Sequence, residues 1–270
     1  MRTTRVGHLC CAALLAATIG VAVRPVAAHA SDDPWPGLAR DAFNDRHLED
    51  GRGVIAVEMP GRAEDAAIVP VTVTSQLSPT DERRIKSITL VIDQNPAPVA
   101  ATFHIGPNAG VSSISTRVRV DSYTNVHAVA ELTDGRLYVA STYVKASGGC
   151  SAPAAKSADG PIIGEMKFRQ FAQAETGRSE AQLMVRHPNN SGLQMDQVTR
   201  LYTPIFFVRE LRIWQGGDLL LAMDGGISIS ENPSIRFGYV SNGANAFRAE
   251  ALDTDNHVFT GEWPVETHRM

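Results

Sequence analysis

Apolar and polar positions alternate with a period of two along most of the chain from residue 53 onward. Within residues 85–92, Ile88, Leu90 and Ile92 occupy every second position, as in a strand with one buried face. The strand candidates up to residue 144 are 54–57, 67–73, 85–92, 99–105, 115–120, 126–132 and 137–144. Short strands at this spacing, separated by turn residues, predict a β-sandwich.

Local signals refine this first sandwich. Asp134-Gly135, between the last two candidates, is typical of a tight hairpin turn. Pro70 cannot donate a ladder hydrogen bond, so we expect its strand at an edge of the sheet. Residues 35–44 favour a short helix with Pro36 in its first turn.

The alternation also assigns polar side chains to particular faces of the strands. Arg117 and Arg119 alternate with Val118 and Val120. His127 points away from the alanines of its strand, so we expect it on a face open to solvent and not in a ligand set.

The alternation returns after residue 178. The candidates there are residues 179–185, 202–214, 219–223, 234–240, 246–252 and 258–263. Gly216-Gly217 and residues 253–256 supply turns between neighbouring candidates. The sequence therefore predicts an all-β fold with two β-sandwich domains, the second smaller than the first.

Residues 145–160 interrupt the pattern with small side chains, glycines and one proline. Such a segment cannot bury enough apolar surface to offset the entropy that is lost when a chain becomes ordered. We therefore expect the two sandwiches, residues 31–147 and 161–270, to be joined by a flexible linker at residues 148–160.

Residues 1–30 have the features of a secretory signal peptide. Positive charges at Arg2 and Arg5 precede an apolar run, and a small-x-small pattern ends at Ala30. We expect cleavage near Ala30 and export. The alternative is an N-terminal membrane anchor, although the apolar run is shorter than the ~20 residues that a membrane-spanning helix needs.

Loss of this segment changes the charge. It removes three arginines and no acid, so the 25 basic residues fall to 22 against 29 acids, a net charge of −7. This balance argues against nucleic-acid binding, which needs a basic surface.

Cys150 is the one cysteine of three that follows the predicted signal peptide. A lone cysteine in an oxidising compartment is either buried and inert or free and reactive. Its neighbours are Gly, Ser and Ala and not large apolar residues, so we expect an exposed thiol. The six residues from Val144 would let it swing roughly 20 Å. The alternative is that Cys150 is a linker residue without a role.

Other residues that could carry chemistry lack a pattern. The histidines beyond the signal peptide are residues 47, 104, 127, 187, 257 and 268, without ligand spacing, and the chain has no nucleophile elbow, phosphate loop or dinucleotide fingerprint. His187 precedes a turn-rich segment and could be a simple loop residue. A redox or copper-handling role with Cys150 as a ligand stays open as an alternative, although a flexible tether is a poor ligand platform.

The order of several segments resembles the Y subunit of the Sox sulfur-oxidation carrier. These segments are residues 98–107, 111–120 and 125–140, followed by Gly148-Gly149-Cys150 after the last strand. The segments that resemble the Z subunit are residues 185–192, 205–208 and 228–237. The fused order is similar to SoxYZ-like carriers that accompany quinoprotein dehydrogenases.

The resemblance implies two immunoglobulin-like sandwiches in a periplasmic carrier that is not an enzyme and has no catalytic residue, metal or cofactor. Cys150 would hold a sulfur-containing intermediate covalently. Gly148, Gly149 and Ser151 would form a flexible arm that presents this intermediate to periplasmic redox enzymes of a Sox-type or quinoprotein dehydrogenase system. The family's arm ends in Gly-Gly-Cys-Gly-Gly at a free C terminus, whereas Ser151 follows the cysteine here and the chain continues.

A second hypothesis needs no cysteine chemistry. The chain would be an accessory or binding module for an exported quinoprotein dehydrogenase, acting through the faces of its sandwiches.

Overall fold

The computed structural model describes residues 33–78, 80–153, 162–171 and 178–266 of the 270-residue chain. The predicted signal peptide and residues 154–160 of the predicted linker lie outside the described residues. We call the described residues between 33 and 153 the first half and those between 162 and 266 the second half.

Helix α1, Trp35–Phe43, confirms the predicted helix. Pro36 lies in its first turn, where a missing N–H leaves no helical bond unmade. The helix ends at Asn44, whose φ of 53° is left-handed. Among the described residues, no helix has both the length and the apolar character that crossing a membrane requires.

The strands follow the predicted order. In the first half they are β1 (Leu48–Asp50), β2 (Ile55–Glu58), β3 (Val69–Ser75), β4 (Ile85–Ile92), β5 (Val99–Ile105), β6 (Ser113–Val118), β7 (Thr124–Leu132) and β8 (Leu137–Val144). In the second half they are β9 (Met166–Phe171), β10 (Ser179–Val185), β11 (Val208–Gln215), β12 (Asp218–Gly225), β13 (Ser234–Tyr239), β14 (Ala246–Asp253) and β15 (Val258–Pro264). The short strand β1 and the strand β9 were not predicted, and β11 begins six residues after the start of the range predicted for it.

The strands form two sheets that both halves share. The nine-stranded sheet has the order β1-β8-β7-β4-β5-β12-β11-β14-β15, and the six-stranded sheet has the order β2-β3-β6-β13-β10-β9. β5 pairs antiparallel with β12 and β6 with β13, so each sheet continues from one half into the other. The predicted all-β fold of two sandwiches is confirmed, and the sandwiches join edge to edge.

One hydrophobic core lies between the two sheets and crosses the junction of the halves. It includes Leu90 and Phe103 from the first half and Phe237 and Phe247 from the second, all at most 2% exposed. Burial of each such side chain stabilises the fold by about 1.5–3 kcal/mol. The described residues from Pro34 onward accordingly form one compact unit.

The predicted edge position of Pro70 is wrong, because β3 lies between β2 and β6. β2 pairs only with residues 72–75 of β3. Pro70 therefore lies beyond the end of β2, and its missing N–H breaks no bond on that side.

His127 is not open to solvent as predicted. It is 6% exposed, its Nε2 lies 3.1 Å from Asp93 Oδ2, and the ring of Trp35 stacks on it with the two centroids 3.6 Å apart. The alternation correctly placed His127 on the face of the sheet opposite the alanines of its strand. That face is buried because α1 packs over it, together with Val91 and Val129.

Candidate functional site

The chain makes a tight turn over residues 148–152, which we call the Cys150 turn. Two backbone hydrogen bonds dock it onto the segment that follows β6. Gly148 N donates to Asp121 O at 2.8 Å, and Gly149 N donates to Val120 O at 3.0 Å. The turn therefore lies against the end of the first sandwich.

Two glycines permit this docking for different reasons. Gly148 has a φ of +76°, a conformation that residues with a Cβ rarely adopt. A Cβ on Gly149 would stand 2.0 Å from Ala66 O and 2.6 Å from Val120 O, so only a glycine allows the backbones to approach this closely. Ser151 is exposed, and its Oγ donates to Gly148 O at 3.2 Å.

Arg119 holds the Cys150 turn from the inside. Its side chain is fully buried, and its Nη1 donates to Gly149 O at 3.1 Å and to Ala152 O at 3.4 Å. Its Nη2 donates to Asn189 O in the second half at 3.3 Å. Burial lowers the pKa of the guanidinium. One buried fork of donors thus joins the turn to the opposite half of the molecule.

A loop of the second half closes over the turn. Ser191 Oγ donates to Cys150 O at 2.5 Å, and Gln194 Oε1 in turn accepts from Ser191 N at 2.9 Å. Asn189 Oδ1 accepts from Val208 N at 3.1 Å, which ties the loop to the start of β11. The Cys150 turn is therefore enclosed at the seam between the two halves.

The Cys150 side chain is fully buried in this seam, so the prediction of an exposed thiol is wrong for the docked turn. Burial raises the pKa of the thiol to about 12; the negative charge of Asp121 adds to this rise and the positive charge of Arg119 opposes it. The docked thiol is protonated at neutral pH and is a poor nucleophile. Small side chains can be buried when, as here, their backbone groups find hydrogen-bond partners.

A buried histidine and aspartate lie behind the loop. His187 Nδ1 accepts from Asn189 N at 3.1 Å, and its Nε2 faces Asp253 Oδ2 at 3.7 Å. Asp253 Oδ2 also lies 2.9 Å from Nδ1 of His257, which is largely exposed. Burial lowers the pKa of His187. Burial of Asp253 acts to raise its pKa, but the interactions with His257 and the backbone hydrogen bond from Asp255 together outweigh this and lower it.

The remaining candidates do not assemble into a site. His104 lies 2.9 Å from Asp224 on the surface of the nine-stranded sheet, His47 is exposed, and His268 is outside the described residues. Within the ranges that the structure describes, no three His, Cys, Asp or Glu side chains are grouped so as to hold a metal ion.

Several residues of this site were not singled out from the sequence. Arg119 fell on a polar position of an alternating stretch, but β6 ends at Val118 and the strand period no longer applies beyond it. Asn189 and Ser191 stood in a segment predicted only as a turn-rich loop. Their side-chain types, which satisfy backbone groups in irregular segments, were the available signal.

Two protein-family models match the chain in succession. The model described as sulfur oxidation protein SoxY matches residues 39–150, and the model described as sulphur oxidation protein SoxZ matches residues 167–264. The SoxY match ends on Cys150. Together the two matches cover most of the chain, in the order of its two halves.

No curated protein sequence matches the chain. Among solved structures, a superoxide reductase (neelaredoxin) from Ignicoccus hospitalis is similar over 35% of this chain and 82% of its own, with 13% sequence identity and a TM-score of 0.31. The two family matches, not this likeness, identify the protein: the chain belongs to the SoxY and SoxZ families and is a fused SoxYZ-like protein.

Proposed function

We propose that this protein is an exported, non-catalytic carrier that binds a sulfur-containing intermediate covalently through Cys150 and presents it to periplasmic redox enzymes. The SoxY and SoxZ matches support a carrier role in Sox sulfur oxidation, with Sox enzymes as partners and a covalently bound sulfur species as cargo. The observation that carries the residue assignment is the position of Cys150, on which the SoxY match ends and which lies in a turn of small residues at the seam.

The carrier works through two states of the Cys150 turn. In the docked state the thiol is buried and protonated, so it resists adventitious oxidation. In the released state the turn leaves its pocket and becomes the arm, with Gly148, Gly149 and Ser151 beside the thiol. Only hydrogen bonds and small side chains hold the docked state, so release exposes little apolar surface.

Loading requires the released state. If thiosulfate is the donor, an S–S bond forms between Cys150 Sγ and the sulfane sulfur, the thiol loses its proton, and two electrons leave. The carrier has no electron acceptor of its own in this proposal, so the partner redox enzyme takes up the two electrons. Unloading then begins with hydrolysis of the S–SO3 bond: water adds to the sulfonate sulfur, sulfate and a proton leave, and a persulfide stays on Cys150 for another partner.

Intact mass analysis tests this proposal directly. The chain is isolated without reductant from its host grown on thiosulfate, in parallel with Cys150→Ser. We expect a mass increase equal to the attached sulfur species on the wild-type chain alone, and loss of thiosulfate-dependent growth with Cys150→Ser. A thiol that is always unmodified, together with full growth of the Cys150→Ser host, would rule the proposal out.

The burial of Cys150 favours a second candidate, in which the cysteine is a packing residue and the protein is an accessory module for an exported quinoprotein dehydrogenase. In that case the sandwich faces make the contact. Binding of a purified dehydrogenase that is equally tight for wild type and Cys150→Ser, with no adduct on the wild-type chain, would support this candidate over the first.

A further inference from the structure

A hairpin in the second half exposes large apolar side chains beside the Cys150 turn. Residues 193–205, which we call the 193–205 hairpin, include six large apolar side chains that are at least a third exposed: Leu193, Met195, Val198, Leu201, Tyr202 and Ile205. Val198 at the tip is 87% exposed. Apolar side chains clustered on a surface in this way mark a contact site more often than isolated ones do.

The hairpin is a built element. Met195 and Tyr202 form an antiparallel bridge, and Asp196 N donates to Leu201 O at 2.9 Å. Asp196 Oδ1 accepts from the backbone N–H of Val198 at 3.0 Å and of Thr199 at 2.8 Å. The exposed side chains are therefore held outward by a hydrogen-bonded backbone and do not result from a lack of structure.

The base of the hairpin is continuous with the groups that hold the cysteine. Ser191, which donates to Cys150 O, comes two residues before the hairpin. Asn190 and Phe206 exchange two backbone hydrogen bonds of 2.7 and 3.1 Å on either side of it. The exposed apolar side chains thus rise from the rim of the seam that encloses the thiol.

The short tether of the cysteine defines what can cover this surface. Cys150 is six residues from the end of β8, so the released thiol stays within roughly 20 Å of that strand end. A small protein domain is already about 30 Å across. Any enzyme that takes the thiol into its active site must therefore approach the seam closely enough to meet neighbouring surface.

We propose that the 193–205 hairpin is the docking surface for the redox enzyme that loads Cys150, and that it contacts an apolar rim around the entrance to that enzyme's active site. This inference rests on the proposed function of Cys150. The hairpin brings the enzyme to the seam, while the arm alone enters the active site. The hairpin takes no part in the chemistry, so its loss slows loading by the enzyme and leaves the intrinsic reactivity of the thiol unchanged.

The test compares the full-length variant Val198→Asp/Leu201→Asp with wild type in the thiosulfate-grown host. The fraction of chains that carry an adduct on Cys150 is measured by intact mass. We expect this fraction to fall by about fivefold or more in the variant, because two charges in an apolar contact weaken docking. The matched control is Val240→Asp. Val240 is 43% exposed, directly follows β13 and lies beside Ala109, at the opposite end of the β6–β13 pair from the Cys150 turn, so this variant should load like wild type.

Two further measurements separate the possible outcomes. The rate at which a small aromatic disulfide modifies Cys150 in the reduced, purified chains should be equal in wild type and variant. A changed rate would overturn the inference by showing that the hairpin holds the turn.

Sedimentation that reveals a dimer of wild type and a monomer of the variant would overturn it in favour of a second copy of this chain. Equal adduct fractions in variant and wild type would overturn it while leaving the carrier function intact. A wild-type chain without any adduct would reject the carrier function itself.

Discussion

The Cys150 turn and the 193–205 hairpin lie on the same seam and reverse the usual relation between composition and burial. The turn consists of glycine, serine, alanine and one cysteine, yet the cysteine is fully buried. The hairpin is rich in large apolar side chains, yet Val198 and Leu201 are 87% and 69% exposed. In both segments the hydrogen bonds made to backbone groups, and not side-chain hydrophobicity, determine the position of the chain.

The difference between the two segments lies in how much free energy holds each. Burying the turn gains little apolar area, so its docking depends on a few hydrogen bonds and on close backbone contact. Such a balance can be reversed by a partner or by a single substitution. The hairpin needs no burial to keep its shape, so its apolar side chains stay available for contact. A carrier requires both properties side by side: the Cys150 turn can leave its site, and the 193–205 hairpin can hold a partner.

The largest expected effect comes from Arg119→Met. The substitution leaves three carbonyl oxygens, of Gly149, Ala152 and Asn189, without the guanidinium donors. Each buried group left unpaired costs about 1–3 kcal/mol, and part of this is recovered by water, so we expect the free energy of unfolding to fall by about 3–4 kcal/mol. Urea unfolding measures the loss. Arg117→Met is the control, because Arg117 makes a single such bond, to Asn232 O, and should lose only about 1 kcal/mol. Equal losses in both variants would mean that close packing alone holds the turn.

Gly149→Ala should release the turn while leaving the sandwiches intact. The new methyl group would meet Ala66 O and Val120 O at distances that no real contact allows. Overpacking of this kind costs roughly 2–3 kcal/mol, which corresponds to a rise of about 30- to 150-fold in the reaction rate of Cys150 with a small disulfide. Gly217→Ala is the matched control, since its Cβ would meet open space. An unchanged rate in Gly149→Ala would show that the thiol reacts without leaving its pocket.

Much of the fold could be predicted from the sequence because its signals are local. The period of two predicted β4, β5, β8 and β10 with the bounds that the structure has. The helix over Trp35–Phe43 could be predicted from the proline in its first turn. The edge-to-edge pairing of β5 with β12 could not be predicted. It joins residues more than a hundred positions apart, and no single hairpin turn connects the two strands.

The candidate site was harder to predict for physical reasons. Cys150 was singled out as the one cysteine beyond the signal peptide, but its burial depends on hydrogen bonds to Val120 and Asp121 and on closure by Ser191. Composition describes side chains and contains no information on such backbone pairing. Tyr202 lay in a range predicted as a strand, and its apolar character is used on an exposed hairpin instead.

The raised pKa of Cys150 predicts an unusual dependence of its reactivity on pH. The docked thiol has a pKa of about 12 against an ordinary value of 9.0, so between these values the docked state holds a proton that the released state loses. Rising pH therefore favours release by up to about 1.4 kcal/mol, or tenfold, per pH unit. Alkylation of wild type should keep accelerating above pH 9, where an ordinary thiol levels off. Gly149→Ala, already released, should level off near pH 9. A plateau near pH 9 in wild type would contradict docking of the thiol.

Ser191→Ala should give the smallest effect and tests whether the second half helps to close the turn. The substitution removes the hydroxyl that donates to Cys150 O and also accepts from Leu193 N at 3.2 Å. A neutral hydrogen bond of this kind contributes about 1 kcal/mol, so release should become about fivefold more frequent, and the rate of Cys150 with a small disulfide should rise by the same factor. Ser115→Ala is the control, because it removes a hydroxyl pair with Thr72 at 2.9 Å inside the six-stranded sheet and should lower stability without changing the thiol rate. Equal thiol rates in Ser191→Ala and wild type would mean that the first half alone sets the docking, through Arg119 and the two backbone bonds to residues 120 and 121. Fusion of the second sandwich to the first would then contribute nothing to keeping the thiol docked.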